Sequence, residues 1–313
     1  MRMTRNYLGA TALAVCLPLA CLAIGTTGLA AGTTGSAASA TGITPSQTAP
    51  AFPARPQRIM STNMCSDLLL LMLVPKDRIS SITYLAHDPV NQLMPGADEG
   101  VRINHGTAEE VVRERPDLIL ASPWSTPVMR RLGARVGAPV AEIDSANSFA
   151  DIRRITRQVG DLVGEPERAE QMVAEMDREL ARLAATRPAR PLDVVVWSGD
   201  GSVPGQGTLT DEIISAAGAR NIAAKFHDGR YSSYGIEELL AARPEAIMRG
   251  EDRYDAPSLQ DASAGHPVIR KAFKGRQVTY PASLYTCGIP LSVDAVRQLR
   301  ATLAQVPAGE LPW

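Results

Sequence analysis

The sequence predicts an α/β fold with two lobes, each built on a mostly parallel sheet, joined by a long helical connector. Short apolar runs alternate with helix-length segments in two separate regions of the chain. A helical pattern without strands lies between these regions. One pattern also occurs once in each region, as GTAEEVVRERPDLIL from Gly106 and as GIEELLAARPEAIM from Gly235. Alternating strands and helices are typical of parallel sheets covered by helices, and the repeat indicates two similar lobes.

The first lobe is predicted for residues 55–147. Its predicted strands are RIMST, RISSITY, PDLILAS and PVAEID, and its predicted helices are CSDLLLLMLV, GTAEEVVRER and TPVMRRLGARVG. Because consecutive strands separated by helices pair in parallel, this lobe is expected to be Rossmann-like.

The connector is predicted for residues 148–186. Ser148 and Asp151 have the spacing of a capping box, and apolar residues then recur on one helical face. Gly164 and Pro166 interrupt this pattern, which predicts a long helix that is kinked or broken there.

The second lobe is predicted for residues 187–313. Its predicted strands are LDVVVWSG, EAIMRG and QVTYPA, and its predicted helices are TLTDEIISAAG, IEELLAARP and SVDAVRQLRATLA. The glycine-rich segment DGSVPGQG follows the first of these strands. It is either an anion site or a tight loop, in which Thr208 or Thr210 caps the next helix.

The N-terminus has the layout of an export signal. Two arginines precede an apolar run that ends in small residues, which predicts a signal peptide over residues 1–30. Pro18 and the absence of charges after the run disfavour a membrane anchor, and the residues around Cys21 disfavour a lipid anchor. Residues 31–54, rich in Gly, Thr, Ser, Ala and Pro, predict a flexible tether.

Composition and motifs exclude several classes of function. The chain has 313 residues, a formal net charge of −1 and 45% hydrophobic residues, as expected for a soluble protein of about two domains. The near-neutral charge does not indicate binding to nucleic acid or to another polyanion. It has no G-x-S-x-G elbow, no H-E-x-x-H helix and no phosphate loop with its lysine. The four histidines lack ligand spacing, and the pair His87-Asp88 predicts a polar loop more than a metal site. We therefore expect no enzyme, no bound metal and no cofactor.

Aromatic residues make up 4% of the chain, yet several follow predicted strands. They are Tyr84, Trp124, Trp197, Tyr280 and Tyr285. Arg249, with Arg253 and Tyr254 behind it, follows the strand EAIM. Core packing is one explanation; the other is a ligand cleft, because open α/β sheets bind ligands beyond the carboxyl ends of their strands.

Two cysteines remain after removal of the signal peptide. Cys65 opens the helix after the first strand, next to Asn63, and Cys287 lies in the loop after the last strand. Both are expected near the rim of a cleft between the lobes. They are unrelated thiols, a disulfide across the cleft, or soft ligands of a bound metal centre. Asn63, Cys65 and Cys287 are candidate ligand-binding residues on this basis.

This order of motifs resembles the periplasmic substrate-binding proteins of ABC importers for ferric siderophores, haem and cobalamin. The resemblance runs from about Arg55 to Leu303 and rests on RPQRIMSTN, GTAEEVVRERPDLILAS, LVGEPERAEQMV, GTLTDEIISAAGARNIA and GIEELLAARPEAIM. It implies a monomer with two lobes joined by one long helix and a cleft between them. It also implies a metal chelate or corrinoid containing iron or cobalt as the ligand, and delivery of this ligand to an ABC permease in the inner membrane. An exported α/β enzyme or a ligand sensor using the same cleft is the alternative.

The resemblance also implies roles for individual residues. Glu109 and Glu237, 128 residues apart in the two copies of the repeat, fall on positions that dock into arginine pockets of the permease. Surface acids near a helix N-terminus are the alternative explanation. Tyr84 and Trp124 fall near positions that contact the ligand in cobalamin-binding members.

Overall fold

The computed structural model describes residues 51–197, 203–225, 230–233, 235–250 and 265–307. The predicted signal peptide, most of the tether, part of the glycine-rich segment, Arg253 and Tyr254 lie outside these ranges. Across the ranges described, every helix is too short or too polar to cross a bilayer.

The N-terminal lobe contains a five-stranded parallel sheet with the strand order β3-β2-β1-β4-β5. Its strands are β1 (Ile59–Ser61), β2 (Ile79–Thr83), β3 (Ile103–Asn104), β4 (Leu118–Ala121) and β5 (Val140–Glu142). Its helices are α1 (Met64–Leu73), α2 (His87–Leu93), α3 (Ala108–Glu114) and α4 (Thr126–Val136). The central strands β1 and β4 are buried on both faces, as their continuous apolar sequences predict.

The connector consists of two antiparallel helices, α5 (Phe149–Val163) and α6 (Pro166–Ala185). The predicted break at the Gly-Pro reverses the chain, because Gly164 adopts a left-handed backbone (φ 71°) that ends α5. The helices approach so closely that a Cβ on Gly160 would lie 2.4 Å from the Cβ of Ala169. An ion pair of 2.7 Å joins Arg157 to Glu170.

The long helix that joins the lobes is α6. Its 20 residues span about 30 Å at the helical rise of ~1.5 Å per residue. Ala169 and Met172 pack in the core of the N-terminal lobe, whereas Met176 and Leu183 pack in the core of the C-terminal lobe. One helix is therefore anchored in both lobes.

The C-terminal lobe contains a four-stranded parallel sheet with the order β11-β10-β6-β8, and a short antiparallel ribbon of β7 and β9. The strands are β6 (Asp193–Val196), β7 (Val203–Pro204), β8 (Arg220–Asn221), β9 (Tyr231–Ser232), β10 (Ala246–Gly250) and β11 (Gln277–Tyr280). The helices are α7 (Leu209–Ala216), α8 (Ile236–Ala242), α9 (Pro267–Ala272), α10 (Ala282–Thr286) and α11 (Ser292–Leu303). Thr208 caps α7, because its side chain accepts a hydrogen bond from the N–H of Asp211 (3.2 Å).

The repeated pattern forms the same unit in both lobes. Each copy is a helix of seven residues, α3 or α8, that ends at an arginine with a left-handed backbone. The φ angles are 44° at Arg115 and 54° at Arg243, and a proline follows each arginine. At the other end of the helix, Glu110 accepts a hydrogen bond from the N–H of Thr107, and Glu238 accepts one from the N–H of Gly235 (2.9 Å each). The second glutamate of each copy is thus a capping residue.

The acid after Arg-Pro also has the same role twice. Asp117 accepts hydrogen bonds from the N–H groups of Gln57 (2.7 Å) and Arg58 (2.9 Å), just before β1. Glu245 accepts one from the N–H of Asp193 (3.0 Å), the first residue of β6. Each acid therefore holds the start of the strand that pairs with its own, β1 beside β4 and β6 beside β10. The repeat is a sheet-building unit. Among the described residues, the first glutamate of each copy takes no part in these hydrogen bonds.

Candidate functional site

The carboxyl ends of the two parallel sheets face each other. α2 follows β2 in the N-terminal lobe and contacts α10, which follows β11 in the C-terminal lobe. There the hydroxyl of Ser283 donates a hydrogen bond to Oε1 of Gln92 (2.7 Å). Loops beyond the carboxyl ends of parallel strands are where open α/β sheets bind ligands. The surface formed by the loops at these two edges, called the cleft below, is therefore the candidate site.

Tyr84 and His105 form an exposed aromatic surface on the N-terminal side. Tyr84 directly follows β2 and His105 directly follows β3, so neighbouring strands place them side by side. Their ring centroids lie 4.9 Å apart with an angle of 20° between the planes. Tyr84 is 54% exposed and the side chain of His105 is 62% exposed. Such a stacked pair offers a flat, partly polar face to a ligand.

Glu110 holds His105 in this arrangement. Its Oε2 accepts a hydrogen bond from the N–H of His105 (2.9 Å), and its Oε1 lies 3.5 Å from Nδ1 of the ring. Partial burial would raise the pKa of Glu110, but the backbone N–H groups of Thr107 and His105 outweigh it and lower the pKa to about 2. The same carboxylate thus caps α3 and positions a residue of the cleft. Sequence reasoning missed His105, because the two-residue strand β3 that positions it was not predicted.

Asp67 holds the strand end that carries Tyr84. Its Oδ2 accepts hydrogen bonds from the N–H (3.1 Å) and the hydroxyl (2.6 Å) of Thr83. The side chain is fully buried, and in the part of the chain described its Oδ1 has no hydrogen-bond partner. Burial raises the pKa of Asp67 to about 7, although the nearby hydroxyl of Ser61 and the hydrogen bonds from Thr83 act in the opposite direction.

Trp124 is the most exposed large hydrophobic side chain described, at 92%. It follows β4 in a turn that is closed by hydrogen bonds between Ser122 and Ser125. An indole exposed to this extent makes no core contribution to the folded chain, which agrees with a role in binding. Its contact with a ligand stays a prediction.

Asn63 caps α1. Its Oδ1 accepts hydrogen bonds from the N–H groups of Cys65 (2.8 Å) and Ser66 (3.2 Å). The oxygen of this side chain is therefore committed to the helix, as expected of an N-cap residue. Sequence reasoning placed Asn63 at the correct edge of the sheet and missed its capping role.

Cys65 and Cys287 form a disulfide, one of the three arrangements that the sequence left open. Their Cα atoms lie 5.1 Å apart, although 222 residues separate them in the sequence. Because the two sulfurs are bonded to each other, the other two alternatives, unrelated thiols and soft ligands of a metal centre, do not apply to this form of the protein. The described residues also contain no group of three metal-binding side chains.

Trp197 is a core residue, and its prediction as a ligand contact is wrong. It directly follows β6, as the sequence indicated, but it is only 1% exposed. It packs with Val195, Ile247 and Phe273 on the face of the sheet. The position after a strand was read correctly, whereas the direction of the side chain depends on tertiary packing.

Tyr280 and Tyr285 form a second aromatic pair, in the C-terminal lobe. Their ring centroids lie 4.1 Å apart and their planes are tilted by 44°. Tyr285 is 7% exposed, and its hydroxyl has no hydrogen-bond partner in the described ranges. Burial raises the pKa of Tyr280 to about 12, and burial with the neighbouring Tyr280 also raises that of Tyr285. Tyr285 and its hydroxyl are enclosed in the core of the C-terminal lobe, so its prediction as a ligand contact is wrong, whereas Tyr280 is only half-buried. Arg249 lies half-buried near the end of β10, beside the strand that carries Tyr280.

Glu109 and Glu237 are exposed at equivalent positions of α3 and α8. Neither carboxylate has an ion-pair partner among the residues described. Their neighbours Glu110 and Glu238 are engaged as caps, so the two glutamates of each copy have different environments. Each lobe therefore has one exposed glutamate, in the first turn of α3 or α8, without an ion-pair partner among the residues described.

Comparison with known proteins gives a consistent picture. The family model described as "Periplasmic binding protein" matches residues 59–270. No curated protein sequence gives a significant match.

Solved structures share the fold at low sequence identity. A periplasmic haem-binding protein from Pseudomonas aeruginosa is 21% identical, with a TM-score of 0.62 over 82% of this chain and 95% of that one. A periplasmic vitamin B12-binding protein from Vibrio cholerae is 19% identical, with a TM-score of 0.60 over 80% and 98%. An Fe³⁺-hydroxamate transport protein from Saccharomonospora viridis is 18% identical, with a TM-score of 0.62 over 80% and 94%.

Proposed function

This chain belongs to the periplasmic binding protein family, whose model covers more than half of its length, and we propose that it delivers a metal chelate or corrinoid to an ABC permease. The observation that carries the ligand class is the exposed, stacked Tyr84–His105 pair at the carboxyl edge of the N-terminal sheet. The protein acts by binding, without chemical conversion of the ligand. Its periplasmic location follows from the family, and residues 1–30 act as the signal peptide.

The chemistry of the cleft supports a large, flat and partly apolar ligand. Tyr84, His105 and Trp124 supply exposed aromatic faces from the loops after β2, β3 and β4 of the N-terminal lobe. From the C-terminal lobe, the half-buried Tyr280 would donate a phenolic hydrogen bond to a ligand oxygen, and the positive charge of Arg249 would favour an anionic ligand. Haem, vitamin B12 and an Fe³⁺-hydroxamate are the ligands named for structures of the same fold, and the flat faces of the first two suit an aromatic surface best.

A fluorescence titration tests the ligand class. Trp124 is exposed whereas Trp197 is buried, so a ligand in the cleft should quench mainly Trp124. The titration uses haemin, cobalamin and a ferric hydroxamate siderophore as probes, on the protein and on its Trp124→Phe variant. One probe should quench the wild-type protein by a larger fraction than the variant. Absence of quenching with all three probes would refute the proposed ligand class.

A variant of the aromatic pair tests the site. Tyr84→Ala should raise the Kd for the quenching probe about tenfold, because aromatic contacts contribute ~0.5–1.5 kcal/mol beyond buried area. Phe52→Ala is a matched control, since Phe52 is 51% exposed and lies against α5, away from the sheet edges. Equal effects of the two substitutions would show that the Tyr84 face is not the binding surface.

Docking to the permease is the second half of the proposal. Exposed carboxylates on two lobes fix the orientation of a partner and speed its encounter more than they add affinity. Glu109→Arg combined with Glu237→Arg should abolish uptake and leave the Kd for the ligand unchanged. Glu167→Arg controls for charge reversal, because Glu167 is also an exposed acid in the first turn of a helix. Loss of ligand affinity in the double variant would contradict the docking role.

A further inference from the structure

A covalent bridge joins the two lobes at a point separate from the connecting helix. Cys65 lies in the first turn of α1 in the N-terminal lobe, and Cys287 directly follows α10 in the C-terminal lobe. The helix α6 already connects the lobes through the chain. Two lobes joined only by α6 can bend and rotate about that helix. A second attachment, the disulfide, restricts their movement to rotation about the axis through the two attachment points.

The disulfide lies in a segment of the C-terminal lobe, residues 282–289, that packs against the N-terminal lobe. This segment is called the seat below. Cys287 is 1% exposed and packs, together with Ile289, in the core cluster of the N-terminal lobe. The backbone of Gly288 comes so close to the N-terminal lobe that a Cβ would lie 2.4 Å from the Cβ of Ala146. One turn earlier, Ser283 donates its hydrogen bond to Gln92. The disulfide and the non-covalent contacts between the lobes thus lie in the same segment.

The bridge is also close in the chain to the face proposed to bind the ligand. Cys65 and Asp67 share the first turn of α1, and Asp67 holds Thr83, the residue before Tyr84. The C-terminal lobe is therefore attached to the same helical turn that positions the aromatic surface.

We propose that the Cys65–Cys287 disulfide is a redox-sensitive clamp that holds the lobes at one separation and so keeps the cleft preformed. In an oxidising compartment the bond is intact and lobe movement is restricted. A dithiol reductant would open the clamp by thiol–disulfide exchange: its two thiols become a disulfide, and Cys65 and Cys287 each gain a proton and one electron to become thiols. The clamp concerns the lobes alone and does not depend on which ligand the cleft holds.

Hydrogen exchange measured by mass spectrometry tests the clamp without a ligand. Three samples are compared: the protein purified from the periplasm, the same protein reduced by a phosphine, and the Cys65→Ser/Cys287→Ser variant. Amides of residues 282–289 should exchange about tenfold faster in the reduced protein and in the variant, because the seat opens more often. Amides in the central strands β4 and β10 should be unchanged, and thiol titration should find two new thiols per molecule after reduction.

The Gln92→Ala variant is the matched control, because it removes the hydrogen bond across the lobes and leaves the disulfide intact. In the oxidised state its residues 282–289 should remain protected, and after reduction they should exchange faster than in the reduced wild type. Unchanged protection at 282–289 in both the reduced protein and the double serine variant would overturn the proposal. Loss of protection in β4 and β10 as well would also overturn it, because the bond would then support the lobes themselves.

Discussion

The buried carboxyl group of Asp67 should make the stability of this protein fall as the pH rises. Asp67 is fully buried in α1, and only one of its two oxygens has hydrogen-bond partners in the described structure. Replacement by Asn keeps the shape of the side chain and an oxygen that can accept the hydrogen bonds from Thr83. It removes the proton-binding group, so the variant isolates the cost of burying a charge.

The magnitude follows from the two pKa values of the carboxyl group. The value is 3.8 in the unfolded chain and about 7 in the folded protein. Between these values the folded state binds one more proton than the unfolded state, so stability decreases by ~1.4 kcal/mol per pH unit. The loss of stability begins near the pKa of Asp67 in the unfolded chain and is complete above its pKa in the folded protein. Between pH 5 and pH 8 the wild type should therefore lose about 2.5 kcal/mol relative to Asp67→Asn.

Urea denaturation at pH 5, 6, 7 and 8 measures this difference directly. The free energy of unfolding of Asp67→Asn minus that of the wild type should increase over the series, and most of the increase should occur below pH 7. Asp88→Asn, at an exposed aspartate of α2, controls for the loss of one negative charge. A difference between Asp67→Asn and the wild type that is the same at pH 5 and pH 8 would refute the reasoning.

Three further predictions concern the framework around the site, and urea denaturation measures each. Glu110→Ala should lower the free energy of unfolding by about 1 kcal/mol through loss of the α3 cap, whereas Glu109→Ala should have little effect; equal losses would contradict the separate roles of these neighbours. Arg300→Ala should cost about 3 kcal/mol, because this guanidinium donates hydrogen bonds to the last carbonyls of both α6 and α7; a neutral result would contradict its role as a shared cap. Gly160→Val should cost about 2 kcal/mol by overpacking, and adding Ala169→Gly should restore part of it; no restoration would place the strain elsewhere.

Most elements of the fold were predictable because their patterns are strong. The buried strands β1, β4, β6 and β10 are continuous apolar runs bounded by turn residues, and α3, α5, α6 and α11 have clear caps or one apolar face. The elements that were missed are short. β3 contributes only Ile103 and Asn104 to the sheet edge, and α2 and α10 lack a long apolar face. These elements exist because neighbouring strands and the other lobe support them.

The two copies of the repeat show what sequence reasoning could and could not reach. Two similar lobes could be inferred from the repeat alone. The distinction between Glu109 and Glu110, or between Glu237 and Glu238, required the structure. A capping glutamate and an exposed glutamate are the same residue type in the sequence. The hydrogen bonds from the N–H groups of Thr107 and Gly235 decide which glutamate is uncommitted.

The sequence by itself determined the α/β class, the two lobes, the break at Gly164 and the strand ends where candidate residues lie. Local periodicity and turn chemistry are sufficient for these features, because they depend on neighbouring residues in the chain. Tertiary structure decided which aromatic residues remain available: Tyr84 stacks on His105 and stays exposed, while Trp197, which also directly follows a strand, is buried in the core. It also decided that Cys65 and Cys287 are bonded, because contact between residues 222 positions apart depends on how the two lobes pack and not on local pattern.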